Sequence, residues 1–310
     1  MLKRFEHSRV FNPSRAVEFP PTEVGRPFEE VTFLSRDRVK LHGWFFRAPE
    51  GSRRARFAVL FCHGNAGNIS SRPGYYRAIL ETGVNLFTFD YRGYGQSEGQ
   101  VTELGTYLDA QAACGWLQQH GFETQNILAW GESLGGGVAS DLATRERIGG
   151  VVLQSTFTSI TDLGVEIYPW LPVRWLSTIH FNTRSKLPGV LCPVVILHSR
   201  GDKTIPFAHA EQNYAAAGEP KLLHELRGDH NGAITADRAR FVDGVEKFLQ
   251  LVETRVKVLQ VDLPDKREAE PLSATPPPSE VAPTPAPAPV PPAVDDEPFE
   301  PKARRPRRTE

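Results

Sequence analysis

The sequence predicts an α/β protein, a mostly parallel sheet covered by helices, on three observations. Short apolar runs of strand length alternate with stretches of helical apolar spacing, as in sheets whose strands return through crossover helices. Each run is bounded by glycine, proline or polar residues, which end strands and open loops. The chain has 310 residues, 40% of them hydrophobic, enough for the core of one large domain.

In chain order, residues 28–46 (FEEVTFLSRDRVKLHGWFF) read as two antiparallel strands at the leading edge. Phe57 to Cys62, Asn85 to Phe89, Asn126 to Trp130, Gly150 to Leu153 and Pro193 to His198 follow as core strands, and Lys221 to Leu226 as the last one. Between the strand ending near Gln154 and the one starting at Pro193 lies a short aromatic insertion, expected as a small cap within 157–191. The domain is expected to span residues 1–262. Beyond it, more than half of the chain's 26 prolines crowd into 263–310, which predicts a disordered, proline-rich tail ending in the basic cluster Lys302 to Arg308, a solubilising arm or a docking arm for a protein partner.

Lys and Arg number 36 against 37 Asp and Glu, so no overall field points to nucleic acid or to an anionic membrane. The default partner is a small-molecule or acyl substrate. Three cysteines, Cys62, Cys114 and Cys192, form no C-x-x-C pair, which suggests neither a disulfide framework nor a zinc site; no metal and no cofactor is expected. The N-terminus lacks a signal-peptide core and no run approaches membrane-spanning length, so the expectation is a soluble, cytoplasmic protein.

The pattern G-x-S-x-G occurs twice, as Gly131-Glu132-Ser133-Leu134-Gly135 and as Gly95-Gln96-Ser97-Glu98-Gly99. A nucleophile elbow needs a strand entering the turn and a helix leaving it at once. Only Ser133 has both, with Ile127 to Trp130 before it and Leu134, Val138, Ala139, Leu142 and Ala143 behind it at helical spacing. Ser97 sits in a glycine-rich loop and reads as a turn residue.

A serine hydroxyl needs a base, and the base needs an orienting acid. After such an elbow, acid and histidine follow in chain order on loops beyond later strands. Asp202, in RGDKTIP, and His230, in GDHNG, hold those positions. Asp162 is the alternative acid. Asp229 is too close to His230 in sequence to reach back to its ring, and His63, His209 and His224 lie before the nucleophile, at a helix start and inside a strand. Oxyanion donors are expected from the Leu134 amide and from the loop Cys62-His63-Gly64-Asn65-Ala66-Gly67, with Asn65 chosen and Ala66 as the fallback. Trp170, Trp175 and Phe157 are expected to line an apolar acyl slot, although aromatics at this spacing also serve plain packing.

With these segments in place, CHGNAGN, FDYRGYGQSEG, WGESLGG, LHSRGDKTIP and GDHNG, the chain resembles the α/β-hydrolase superfamily, and within it the depalmitoylase-like α/β-hydrolase domain proteins and their bacterial relatives. The resemblance covers about residues 28–235. It implies an α/β-hydrolase fold with a sheet of the eight-stranded type, and a Ser-Asp-His esterase or thioesterase without a cofactor, Ser133, Asp202 and His230 matching the catalytic positions. The N-terminal cysteine cluster by which the eukaryotic depalmitoylases attach to membranes is missing here. Two other readings remain: a peptidase of the prolyl-oligopeptidase type, for which no propeller domain is evident, and a non-catalytic scaffold recruiting partners through its tail.

Overall fold

Continuous apolar runs such as AVLFC and the VVIL of VVILHS can be satisfied only where both faces of a strand are covered, and these strands are buried throughout. The computed structural model describes residues 2–261; the expected tail, 263–310, lies outside them. In chain order the elements are α1 (Leu2–Val10), β1 (Asn12–Pro13), β2 (Phe28–Leu34), β3 (Lys40–Phe46), β4 (Ala58–Cys62), β5 (Ala66–Gly67), α2 (Pro73–Leu80), β6 (Asn85–Phe89), α3 (Glu103–Gln119) and β7 (Ile127–Glu132). There follow α4 (Leu134–Arg145), β8 (Gly150–Gln154), α5 (Ile160–Ile167), α6 (Val173–Leu176), α7 (Thr183–Lys186), β9 (Val194–Ser199), α8 (Phe207–Ala216), β10 (Lys221–Leu226), α9 (Ala233–Ala236) and α10 (Arg238–Val261).

Eight strands form one sheet in the order β10-β9-β8-β7-β4-β6-β3-β2. Only β3 runs against the rest, pairing antiparallel with β2 and with β6. Alternate side chains point to opposite faces: Leu60 enters the core under α3, α4 and α8, whereas Val59 and Phe61 enter the core under α2 and α10. The sheet is therefore sandwiched between two helical layers. β1 and β5 make a separate two-stranded parallel ribbon, a feature the sequence reading did not include.

From β4 the chain moves one way to β6, then crosses back to β7 on the other side of β4. The loops leaving β4 and β7 consequently diverge, opening the crevice where open α/β sheets bind ligands. Register brings the two strand ends level, Cys62 beside Gly131, so the loop after β4 faces the turn after β7.

Candidate active site

β7 runs directly into α4 with a single residue between them, Ser133, at φ 52° and ψ −114°. A positive φ is costly for serine and needs surrounding structure to hold it. Both glycines of the motif are required by space. A Cβ on Gly131 would lie 2.4 Å from the Gly135 carbonyl oxygen, and one on Gly135 would lie 2.0 Å from the Cys62 carbonyl oxygen. Without those side chains α4 can start directly against the end of β7, at Gly131, and close against the end of β4, at Gly135.

The His230 Nε2 lies 3.1 Å from Ser133 Oγ, and its Nδ1 lies 2.7 Å from Asp202 Oδ2. With Nδ1–H donating to the carboxylate, Nε2 is left to accept from the serine hydroxyl. Asp202 is oriented by its other oxygen, which accepts the N–H groups of Thr204 and Ile205, both at 2.9 Å. Burial raises the Asp202 pKa, but hydrogen bonds from His230 and Ile205 outweigh it and hold the carboxyl below its usual range. Behind it, buried His198 donates Nε2–H to the Ile205 carbonyl at 2.9 Å and lies 3.4 Å from Asp202 Oδ2. Desolvation lowers the His198 pKa, so this ring is neutral and supports the Asp202 loop without competing for a proton.

The alternative acid, Asp162, is occupied elsewhere. In the first turn of α5 it accepts from Thr158 Oγ1 at 2.9 Å and pairs with Arg174 and Arg184 at 3.4 and 3.5 Å. Ser97 is fully buried, donating to the Asp90 carbonyl and accepting from the His42 amide.

Leu134 N–H heads α4, where first-turn amides have no intrahelical partner. The loop after β4 is held at each peptide. Gly64 N–H donates to Glu132 Oε2 at 3.2 Å, and the Gly64 carbonyl accepts His63 Nδ1–H at 2.8 Å. Because a peptide's C=O and N–H point opposite ways, the His63 contact fixes the direction of the Asn65 N–H. The Asn65 carbonyl accepts from Asn12 N–H and Tyr94 Oη, and the Ala66 carbonyl from Arg72.

Glu132 and Arg72 are residues that sequence reasoning passed over, and His63 is one it weighed only as a catalytic base and set aside. Arg72 Nε lies 2.5 Å from Glu132 Oε2, and both side chains are buried. Burial raises the Glu132 pKa, but Arg72 outweighs it and keeps the carboxylate ionised. The pair thus joins the elbow, of which Glu132 is part, to the loop opposite it. Glu132 could have been noticed as a charge inside the motif; Arg72 carries no spacing signal. Desolvation, then Arg72, pushes the His63 pKa down to about 4, so it packs as a neutral ring 4.2 Å from Tyr91.

The insertion between β8 and β9 contains α5, α6 and α7, but the expected acyl slot is not built as read. Phe157 is sealed into the core at 2% exposure, while Trp170 and Trp175 stand 77% and 89% exposed. α6 is a single turn whose Val173 packs toward Gly164, and Trp175 consequently projects to the other side. The crevice beneath the insertion is small, about 90 Å³, and is lined by Phe5 and Val10 of α1 together with Ile160, Tyr168, Leu171 and Leu176.

Comparison with known proteins agrees with this architecture. Residues 58–191 match the family model of the alpha/beta hydrolase fold. The uncharacterized protein Rv2307c of Mycobacterium tuberculosis is 36% identical over 222 residues, covering 71% of this chain and 78% of that protein. The alpha/beta hydrolase domain-containing protein WAV2 of Arabidopsis thaliana is 30% identical over 241 residues, covering 70% and 77%. Among solved structures, the Pyrococcus furiosus esterase Pf2001 superposes with a TM-score of 0.64 at 22% identity, over 77% of this chain and 98% of that one.

Proposed function

The chain belongs to the α/β-hydrolase fold family, and on that premise we propose that it is a serine hydrolase cleaving carboxylic esters or thioesters through an acyl-enzyme. The observation that carries this reading is His230 bridging Ser133 at 3.1 Å and Asp202 at 2.7 Å, with Ser133 held at positive φ on the elbow. Free, buried thiols at Cys62, Cys114 and Cys192 support work in a reducing compartment, the cytoplasm in our reading.

In this mechanism His230 Nε2 takes the Ser133 proton as Oγ attacks the acyl carbon, and the carbonyl electrons move onto oxygen. The amides of Leu134 and Asn65 receive that oxyanion. As the tetrahedral intermediate collapses, the bond to the leaving oxygen or sulfur breaks and His230 returns the proton to it. Water repeats the sequence on the acyl-enzyme, releasing the acid and restoring Ser133. Asp202 stays ionised and stabilises the imidazolium formed in each half.

Fluorophosphonate labelling with peptide mapping tests the proposal. Modification of Ser133, matched by turnover of nitrophenyl esters and acyl thioesters, is expected. An unlabelled protein, inert toward both, would sink the enzyme reading and leave the scaffold; cleavage confined to peptide amides would favour the peptidase.

A further inference from the structure

Bulky indoles at 77% and 89% exposure are unusual on a water-facing surface, and Trp170 and Trp175 do not stand alone. Ile167 is 54% exposed on α5 and Phe5 44% exposed on α1. α1 is fastened to the insertion: the Glu6 carboxylate accepts from the amides of Thr178 and Ile179 at 2.8 and 3.1 Å and from Ser177 Oγ at 2.7 Å. Phe5 and Arg9 line one crevice with Tyr168, Leu171 and Val173, and Trp170 meets Tyr168 edge-on with ring centroids 6.1 Å apart, so α1 and the insertion adjoin there.

The charge on this face leans positive, Lys3, Arg4, Arg9, Arg174 and Arg184 standing against Glu6, Asp162 and Glu166. Glu6 is held by the contacts above, Asp162 pairs with Arg174 and Arg184, and Glu166 lies 3.2 Å from His209. Lys3, Arg4 and Arg9 are exposed and take part in no ion pair among the described residues. Projecting indoles on the insertion, together with exposed cations on the α1 helix fastened to it, match an interface whose outer layer is anionic and whose depth is apolar. An indole ring sits at the headgroup boundary with its N–H satisfied by lipid oxygens, and each nearby cation is attracted to anionic headgroups.

Both carriers of the face are rooted at the candidate site. α1 leads into β1, which pairs with β5 in the loop after β4. The insertion springs from Ser155 and Thr156, and Thr156 Oγ1 bonds the Ser133 carbonyl. We infer that α1 and the insertion together form a peripheral docking surface for an anionic lipid bilayer, with Trp170 and Trp175 as interfacial anchors and Lys3, Arg4 and Arg9 as the electrostatic attachment. Docking does not depend on the hydrolase reading, and its test needs no turnover.

The tryptophan distribution makes the test specific. Of the five tryptophans, Trp44, Trp116 and Trp130 are buried, so a change in emission on adding lipid reports Trp170 and Trp175. The full chain is mixed with vesicles of phosphatidylcholine alone or with phosphatidylglycerol, and co-sedimentation and emission are read together. Mixed vesicles should bind the protein with a blue-shifted emission, and neutral ones much more weakly. Replacing Trp170 and Trp175 by alanine should weaken binding at least about tenfold and abolish the blue shift, with the thermal midpoint unchanged. Each of Lys3→Gln, Arg4→Gln and Arg9→Gln should weaken it about fivefold at low salt. Sedimentation without a blue shift would mean that another region binds, such as the basic cluster Lys302 to Arg308, and would overturn the assignment. No binding, or equal binding by the tryptophan variant, would overturn it as well.

Discussion

The two G-x-S-x-G segments have the same pattern and opposite fates. In the first, Ser97 is enclosed, its hydroxyl donating to the Asp90 carbonyl at 2.7 Å and accepting the His42 amide at 2.9 Å. Gly95, at φ 45°, has the Asp90 carboxylate where a Cβ would stand. In the second, Gly131 and Gly135 serve close approach of α4 to β7 and to β4, and Ser133 Oγ has His230 as its one hydrogen-bond partner among the described residues. What differs is the surroundings. A hydroxyl whose donor and acceptor roles are both spent on backbone closes a turn, whereas one lifted between a strand and a helix is left for a base.

The largest expected effect breaks that comparison at its centre. Ser133→Ala should abolish fluorophosphonate labelling and esterase turnover, while Ser97→Ala keeps labelling and loses about 1–3 kcal/mol of stability, because the His42 amide is left unpaired. Labelling that survives Ser133→Ala would reverse the assignment. Next comes the acid. Asp202→Asn should lower turnover at least about 10³-fold by disturbing the His230 tautomer, whereas Asp162→Asn, whose partners are arginines and hydroxyls, should cost less than about threefold. A larger loss at Asp162 would exchange their roles.

A third variant sharpens what holds the elbow to the loop facing it. Glu132→Gln keeps the shape but leaves the Arg72 charge buried without its counter-charge, which should cost about 3–5 kcal/mol of stability. If the pair positions the Gly64 peptide, kcat should fall while KM for a small ester holds, since the oxyanion forms only after binding. A stability loss with kcat intact would limit the pair to folding.

The sheet was legible because its strands carry a period or a continuous apolar run that no soluble loop would have. β4, β6, β8 and β9 lie within a residue of their expected limits, and β7 continues two residues further, through Gly131 and Glu132, because the elbow is still paired to β8 there. The positions of Ser133, Asp202 and His230 were legible through chain order and loop position. Illegible were groups acting through space alone: Arg72, sixty residues before Glu132, and the β1 to β5 ribbon, too short to have a period. The insertion misled for a related reason. Composition gives apolarity, but a one-turn helix decides which side of Trp175 meets water.

The smallest expected effect concerns His63, which in the comparison stands on the side of the open site. Folded, its pKa is pushed from 6.5 down to about 4, first by burial and then by Arg72. Below pH 6.5 the unfolded chain binds a proton at this position that the folded protein refuses. Its contribution is therefore complete above about 6.5 and is lost as the pH falls toward 4, a window above that in which the depressed carboxylates Asp202 and Glu132 act. His198, also depressed, adds a slope of the same sign, and His42, whose pKa is raised by Asp90 and Glu30 despite burial, adds the opposite one. Both are common to parent and variant and cancel in the difference. His63→Asn keeps a donor in reach of the Gly64 carbonyl but cannot titrate. In urea unfolding between pH 7 and 4.5, the variant should lose stability less steeply, by up to about 1.4 kcal/mol per pH unit, the value of one proton. Parallel curves would show that His63 accepts its proton in the folded state, and the neutral ring supporting the Asn65 amide would have to be given up.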